Sequence, residues 1–290
     1  FKIYILNFNL GNRYEIKIYF ESYEINRITE REEILMNKMF CFQCEQTAGC
    51  KGCTGNAGVC GKKADTALLQ DQLTSVLIGL ARASEGNEEK VTEETDKIVI
   101  EGLFATLTNV NFDNLALQKL IDKVEKEKKT LIPECYICES SCGKNYNYVM
   151  DELWNAQEDI RSLKSLILFG IRGMAAYAYH AAVLGYKDKE VNQFFYKALY
   201  AIGTDWGIEE LLPIVLETGS VNLKCMELLD KANTETYGNP VPTKVQLKIE
   251  KGPFIVITGH DLYDLKQLLE QTKDKGIHIY THGEMMPAHA

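Results

Sequence analysis

Five cysteines lie within a glycine-rich stretch of twenty residues, and this stretch limits what the 290-residue chain can fold around. They are Cys41, Cys44, Cys50, Cys53 and Cys60. A glycine stands at every third position from 49 to 61. Because glycine adopts backbone conformations that other residues avoid, such a loop can close around a small group. Four thiolates without a nearby histidine are typical ligands of an iron–sulfur cluster.

Spacing alone leaves other interpretations open. Two CxxC pairs, Cys41/Cys44 and Cys50/Cys53, are also typical of a zinc knuckle, although we favour iron–sulfur ligation here. A disulfide framework fits less well because the stretch holds an odd number of cysteines. Nine cysteines in a chain without a recognisable secretory leader predict a reducing compartment, and therefore a cytoplasmic location.

The residues around the cysteines resemble those of a known family. Cys-Phe-Gln-Cys-Glu-Gln-Thr, Gly-Cys-Thr and Gly-Val-Cys-Gly-Lys are similar to the amino-terminal motif of the hybrid cluster proteins, also called prismane proteins or hydroxylamine reductases. The resemblance implies a 4Fe–4S cluster held by Cys41, Cys44, Cys53 and Cys60, with Cys50 spare. The spacing is x2, x8, x6. Its last gap is one residue longer than that family leads us to expect, and a 2Fe–2S cluster is the alternative.

Polar residues follow two predicted strands near the other end of the chain. A buried strand at 254–258 and a second at 277–281 flank a helix, so the strands should be parallel, with their carboxyl ends side by side. His260 follows the first strand and Glu284 the second, and we therefore expect these side chains to approach each other. Imidazole and carboxylate can ligate iron. Capping of the helix by Asp261, with solvent-exposed histidines, is the simpler alternative.

These polar segments also resemble hybrid cluster protein motifs. They read Thr-Gly-His-Asp-Leu and Thr-His-Gly-Glu-Met-Met-Pro-Ala. The resemblance implies that His260 and Glu284 are ligands of the hybrid 4Fe–2O–2S cluster and that His282 supports them. The family's other hybrid-cluster ligands are expected in a carboxyl-terminal half. We therefore expect this chain to carry an incomplete ligand set for that cluster.

The chain is predicted to be multidomain, with an α part followed by an α/β part. Residues 1–38 are interpreted as a non-native or disordered extension, because family members begin near Met39. Residues 39–238 are predicted to form a helical domain of two three-helix bundles behind the cysteine loop. Prolines at 240 and 242 mark a boundary. Residues 239–290 are then the first βαβ unit of a truncated, Rossmann-like parallel domain.

Apolar periodicity predicts the helices of the α part. One begins at Asp65 and one near Glu93, and the others cover 114–128, 147–156, 160–184, 188–202, 208–217 and 221–232. The apolar stretch 163–184 carries Lys164, Arg172 and His180, so we expect a buried helix there and no membrane span. Arg172 could serve chemistry, but a satisfied core group is the commoner case.

Four cysteines lie outside the cysteine loop. Cys135, Cys138 and Cys142 are one thiolate short of a closed four-ligand site, and we expect ordinary thiols there instead of a metal site. Cys225 is predicted to be a small core residue of a helix.

A net charge of −9 and a pI near 5.2 disfavour a nucleic-acid surface. The resemblance implies an oxidoreductase of nitrogen metabolism that reduces hydroxylamine to ammonia or nitric oxide to nitrous oxide. A redox donor protein would supply electrons through the amino-terminal cluster. We expect the present chain alone to be inactive. The alternatives are a non-enzymatic iron–sulfur module for electron transfer or redox sensing, and a zinc-stabilised helical interaction protein.

Overall fold

The computed structural model describes residues 40–44, 52–108, 110–132 and 146–290. The described residues divide into two compact units, one ending at Ala232 and one containing Asn233–Ala290. Most of them are helical, and a small parallel sheet lies near the carboxyl end. The predicted extension at 1–38, Cys50 and the cysteines at 135, 138 and 142 lie outside the described residues.

Seven α-helices precede the strands in the described part of the chain. They are α1 (Ala64–Ser84), α2 (Glu93–Ala105), α3 (Asn114–Leu131), α4 (Met150–Trp154), α5 (Glu158–Val183), α6 (Lys189–Gly203) and α7 (Ile208–Tyr237). A 3₁₀ turn at Glu88–Lys90 joins α1 to α2. The positions agree with the apolar periodicity of the sequence, although α4 is shorter than predicted.

Side-chain caps determine where several helices begin. The Thr92 hydroxyl accepts from the backbone N–H of Thr95 at the start of α2. Asp113 and Asp188 accept from backbone N–H groups in the first turns of α3 and α6. A cap of this kind stabilises a helix by about 0.5–2 kcal/mol, because it satisfies an N–H group that has no partner within the helix.

The structure corrects the prediction of separate helices at 208–217 and 221–232, because α7 is continuous through both. Within it, the Thr218 hydroxyl donates to the Ile214 carbonyl at 2.7 Å, so this polar group is satisfied inside the helix. Gly219 has open space around it. A glycine costs a helix only about 1 kcal/mol relative to alanine. That cost is too small to end a helix whose flanking turns are packed.

The apolar side chains of all seven helices belong to one contiguous core. Helix α1 lies within it, packed against α3 and α6, and twelve of its 21 residues are buried, which is more than one face of a helix. Leu73 and Leu77 of α1 are fully buried, as is Leu103 of α2. The division into two three-helix bundles is therefore not confirmed, because helices from both predicted bundles share this core.

Helix α5 is long and apolar enough, by length and composition, to cross a membrane. This is weak evidence, because the core helices of soluble proteins pass the same test. Ile167, Ile171 and Met174 of α5 are fully buried in the core, and the charged residues Lys164 and Arg172 are buried on the same helix. The core helix predicted over 163–184 is thus observed.

Helices α5 and α7 approach each other closely. Cys225 of α7 is fully buried, as predicted for a core thiol, and its Sγ donates to the Met174 carbonyl at 3.5 Å. Earlier in α5, Gly170 faces the Thr218 methyl group, which would lie 2.7 Å from a Cβ at position 170.

Beyond the last turns of α7, the second unit contains β1 (Phe254–Ile257), α8 (Leu262–Thr272) and β2 (His278–Thr281). The strands are parallel, and Phe254 pairs with His278. A 3₁₀ segment, Gly283–His289, follows β2. The predicted parallel pairing is confirmed, and the carboxyl ends of both strands therefore meet at one edge of the sheet.

Substitutions at two glycines of α5 test this packing. Gly173→Ala should raise the free energy of unfolding by about 1 kcal/mol, because nothing lies near its Cβ position and alanine favours a helix. Gly170→Ala should be less stable than Gly173→Ala by about 1–3 kcal/mol, because its methyl group would overlap Thr218. Urea unfolding followed by far-UV circular dichroism measures both. Equal stabilities would contradict the contact between α5 and α7.

Candidate metal centres

An antiparallel backbone bridge brings two of the predicted cluster ligands together. The Cys41 N–H donates to the Cys53 carbonyl at 3.1 Å, and the Cys53 N–H donates to the Cys41 carbonyl at 2.8 Å. The two residues are 8% and 7% exposed and pack on Ala67 of α1. Gly52 precedes Cys53 with φ of +87°, and a Cβ there would lie 3.1 Å from the Phe40 ring. Glycine at this position therefore lets the segments around Cys41 and Cys53 come together.

A tight turn carries the last predicted ligand, Cys60. The Gly58 N–H donates to the Lys62 carbonyl, and the Gly61 N–H donates to the Gly58 carbonyl, both at 2.8 Å. Gly61 has a φ of +84°, a left-handed conformation that favours glycine. The turn leaves Cys60 half-buried and directs Lys62 into the protein.

The four predicted ligands do not all converge. Cys41, Cys44, Cys53 and Cys60 are free thiols, and Cys44 is half-buried like Cys60. Among the residues that the structure describes, no three His, Cys, Asp or Glu side chains form a group that could hold a metal ion. The structure thus brings Cys41 and Cys53 together but does not complete a site with Cys44 and Cys60. Four thiols within one loop nevertheless fit iron–sulfur ligation by their chemistry.

Aromatic contacts attach the segment around Cys41 to the helical core. Phe40 and Phe42 flank Cys41, and each ring meets Trp154 of α4 edge to face, with centroids 5.8 Å apart. Such aromatic pairs contribute about 0.5–1.5 kcal/mol beyond the area they bury. Cys41 therefore stands between two aromatic residues that are both anchored on Trp154.

A buried lysine lies beside Cys41, and sequence reasoning did not single it out. Lys62 is only 3% exposed, and its Nζ donates to the Gln43 Oε1 at 2.9 Å and lies 3.6 Å from the Cys41 Sγ. Burial raises the pKa of the Cys41 thiol, and the Lys62 ammonium opposes that rise. Gln43 and Lys62 both belong to the cysteine motifs, and this position in the sequence could have pointed to them.

The polar contacts continue from Gln43 into the helical core. The Gln43 Nε2 donates to the Asp71 Oδ1 of α1 at 3.2 Å. Burial raises the pKa of Asp71 to about 6, and the Arg172 guanidinium of α5 opposes this rise. Arg172 is 2% exposed, and its Nη2 donates to the Thr74 hydroxyl at 2.7 Å. Burial lowers the pKa of Arg172 to about 10, against the effect of Asp71. We call Lys62, Gln43, Asp71 and Arg172 the buried polar chain, in which Asp71 is half-buried and the other three residues are buried.

The second candidate centre lies at the carboxyl edge of the small sheet. The His260 Nε2 and the Glu284 Oε2 are 2.9 Å apart, and the two side chains are 68% and 60% exposed. The predicted approach of these residues, twenty-four positions apart in the sequence, is therefore observed. Their role as ligands of the hybrid cluster stays a prediction. Asp261 also caps α8 by accepting from the backbone N–H of Asp264, as the simpler alternative predicted.

The other histidines near this edge face different partners. The His282 Nδ1 lies 3.5 Å from the Thr258 hydroxyl, and the His289 Nε2 lies 2.6 Å from the Thr281 hydroxyl. Neither histidine joins His260 and Glu284 in a group of three metal-binding side chains within the described residues. His282 nevertheless is tied to the sheet, because its backbone N–H donates to the Ile257 carbonyl.

Thiol reactivity of the metal-free chain tests the Cys41–Cys53 bridge. Gly52→Ala should place about 1–2 kcal/mol of backbone strain on the loop, because residue 52 is in a left-handed conformation. Since about 1.4 kcal/mol corresponds to a tenfold change in an equilibrium, Cys41 and Cys53 should be alkylated about tenfold faster in this variant. Peptide mass spectrometry after timed exposure to iodoacetamide measures each cysteine separately.

The matched control is Gly55→Ala, in the same loop. Gly55 has no positive φ, and the nearest atom to its Cβ position is 3.9 Å away. This variant should show the same slow alkylation of Cys41 and Cys53 that we expect of the parent chain. If both variants react alike, the bridge does not protect the thiols.

Comparison with known proteins places this chain in a family. The sequence profile described as Prismane/CO dehydrogenase family matches residues 39–290. The chain is 45% identical to the hydroxylamine reductases of Solidesulfovibrio magneticus, Methanosarcina mazei and Thermodesulfovibrio yellowstonii, with 87% of this chain and 49–50% of each relative covered. The chain thus spans about half the length of the curated relatives it matches. It belongs to the Prismane/CO dehydrogenase family.

Proposed function

We propose that the cysteine loop of this chain holds a 4Fe–4S cluster through Cys41, Cys44, Cys53 and Cys60. Membership of an iron–sulfur protein family supports the cofactor type. The backbone bridge that buries Cys41 and Cys53 side by side supports the choice of ligands. When bound, such a cluster accepts or donates one electron at a time. Ala67 of α1 packs against two of these ligands, Cys41 and Cys53.

We also propose that His260 and Glu284 contribute to the hybrid 4Fe–2O–2S cluster. The single observation that carries this proposal is the 2.9 Å approach of the two side chains from the ends of neighbouring parallel strands. Nitrogen and oxygen donors suit iron that is partly bridged by oxygen. Two residues do not complete such a site, and the proposal assigns the remaining ligands to the portion of the relatives that this chain does not span.

The proposed activity of the whole protein is that of a hydroxylamine reductase, the name its relatives carry. Hydroxylamine takes up two electrons and two protons and yields ammonia and water. The second candidate reaction joins two nitric oxide molecules with two electrons and two protons, and yields nitrous oxide and water. A redox donor protein is the proposed electron source. The chain's own part is to bury Cys41 and Cys53 and to present His260 and Glu284 at an exposed edge.

The proposal also covers the domain limits and the cellular location. Residues 1–38 are proposed to be an extension, since the family match begins at residue 39. Residues 39–238 are the proposed helical domain, and residues 239–290 the proposed first βαβ unit of a Rossmann-like domain. A cytoplasmic location without membrane or nucleic-acid partners is proposed from the cysteine usage and the net charge of −9.

Iron analysis tests the cysteine site. The anaerobically purified chain should be brown and contain about four iron atoms, as expected for a cluster held by four thiolates. Cys53→Ser should remove the iron because it removes a direct ligand. Cys50→Ser is the matched control and should retain it. One zinc atom with no visible absorbance, or equal losses from both variants, would contradict the proposed ligands.

Activity measurements test the second centre in a protein of the relatives' full length. His260→Ala should reduce hydroxylamine reduction at least about a hundredfold, the upper range for disturbing a metal site's surroundings. It should leave the visible spectrum of the cysteine-held cluster unchanged. His278→Ala is the control, because His278 faces Glu250 at 3.6 Å instead of Glu284. The 290-residue chain alone should show no turnover.

Full activity of His260→Ala would remove this residue from the site. Bound iron without any reductase activity in the full-length protein would instead favour an electron-transfer or redox-sensing role. Turnover by the 290-residue chain alone would show that the residues present here suffice for the reaction.

A further inference from the structure

The ammonium group of Lys62 is placed to act on the electronic properties of the proposed cluster. Its Nζ lies 3.6 Å from the Sγ of Cys41 and 6.0 Å from the centroid of the Phe112 ring. The side chain is almost completely buried, so little water screens its charge. Reduction adds a negative charge to a cluster, and a nearby positive charge stabilises that reduced form. Hydrogen bonds to the cysteine sulfurs act in the same direction.

Gln43 fixes the position of this ammonium group. Its Oε1 accepts from the Lys62 Nζ at 2.9 Å, and its Nε2 donates to the Asp71 Oδ1 at 3.2 Å. The Thr108 hydroxyl donates to the Gln43 backbone carbonyl at 3.1 Å. Because both ends of the amide are used, the Gln43 side chain has one orientation that satisfies its partners. Lys62 is thereby held toward Cys41.

Asp71 and Arg172 extend the series of charged residues toward the centre of the fold. Asp71 lies on α1 and Arg172 on α5, and the Arg172 Nη2 is held by the Thr74 hydroxyl of α1. The Arg172 Nε has no hydrogen-bond partner among the described residues. The charges of Lys62, Asp71 and Arg172 thus alternate in sign from the cysteine loop into the core.

A structural role alone explains these charges poorly. Burying charged groups costs several kcal/mol per ion, and apolar residues of similar volume are often as good or better for stability. The first member of the buried polar chain, Lys62, moreover lies beside the proposed cluster ligand Cys41. Its geometry matches what would be needed to keep one positive charge at a constant distance from that sulfur.

We propose that Lys62 sets the reduction potential of the cluster held by the cysteine loop, and that Gln43, Asp71 and Arg172 are positioning residues for it. This inference rests on the proposed function of the loop. Lys62 raises the potential because its charge favours the reduced form. Asp71 lowers the reduction potential to a smaller extent. Its negative charge is farther along the series from Cys41, because Gln43 lies between Asp71 and Lys62.

The test is a potentiometric titration of the iron-loaded 290-residue chain, followed by visible absorbance. Lys62→Met should lower the ratio of reduced to oxidised cluster at a fixed potential by about tenfold, which is about 59 mV for one electron. Lys63→Met is the matched control, because it removes the same charge from an exposed neighbour. Its potential should equal that of the parent chain, and the iron content should stay the same in all three proteins.

A second variant keeps the inference testable if Lys62→Met takes up no iron. Asp71→Asn retains an acceptor for Gln43 but removes the negative charge, so it should shift the potential upward, opposite to Lys62→Met. Unchanged potentials in the iron-loaded variants would overturn the inference and leave the cluster assignment intact. A parent chain that binds no iron would overturn the proposed function, and the inference with it.

Discussion

The contact on which the first candidate centre depends is the pair of backbone hydrogen bonds between Cys41 and Cys53. This bridge includes a left-handed residue at Gly52, and both cysteines pack on the apolar side chain of Ala67 of α1. Helix α1 is itself buried on several sides by α3 and α6. The position of the cysteine loop therefore depends on the central helix of the core, and not only on the local conformation of the loop.

Charge burial connects this loop to the same core. Lys62 reaches Cys41 from the loop, while Arg172 reaches Thr74 from α5. Isolated buried charges are costly, so each member of the buried polar chain depends on its neighbours for a counter-charge or a hydrogen bond. We therefore expect loss of the bond between Arg172 of α5 and Thr74 of α1 to affect the surroundings of Cys41. The proposed electron-transfer property of the loop and the stability of the helical unit depend on overlapping sets of contacts.

The second unit follows a different physical rule. Two parallel strands bring their carboxyl ends together regardless of the length of the helix between them. This is why His260 and Glu284 meet although α8 separates them in the sequence. Both side chains are largely exposed at this edge, which suits residues that contact further groups. The role of this edge as part of a metal site stays a prediction.

The sequence by itself determined the features that depend on local patterns. Cysteine spacing, helix periodicity, the Asp261 cap and the strand–helix–strand order each act over a few residues. The approach of His260 to Glu284 follows from strand direction. Only the tertiary structure decided the single core, the unbroken α7, and the contacts of Arg172. Arg172 and Thr74 are 98 positions apart. No local period encodes such a pair, because burial of a charge depends on which helices pack together.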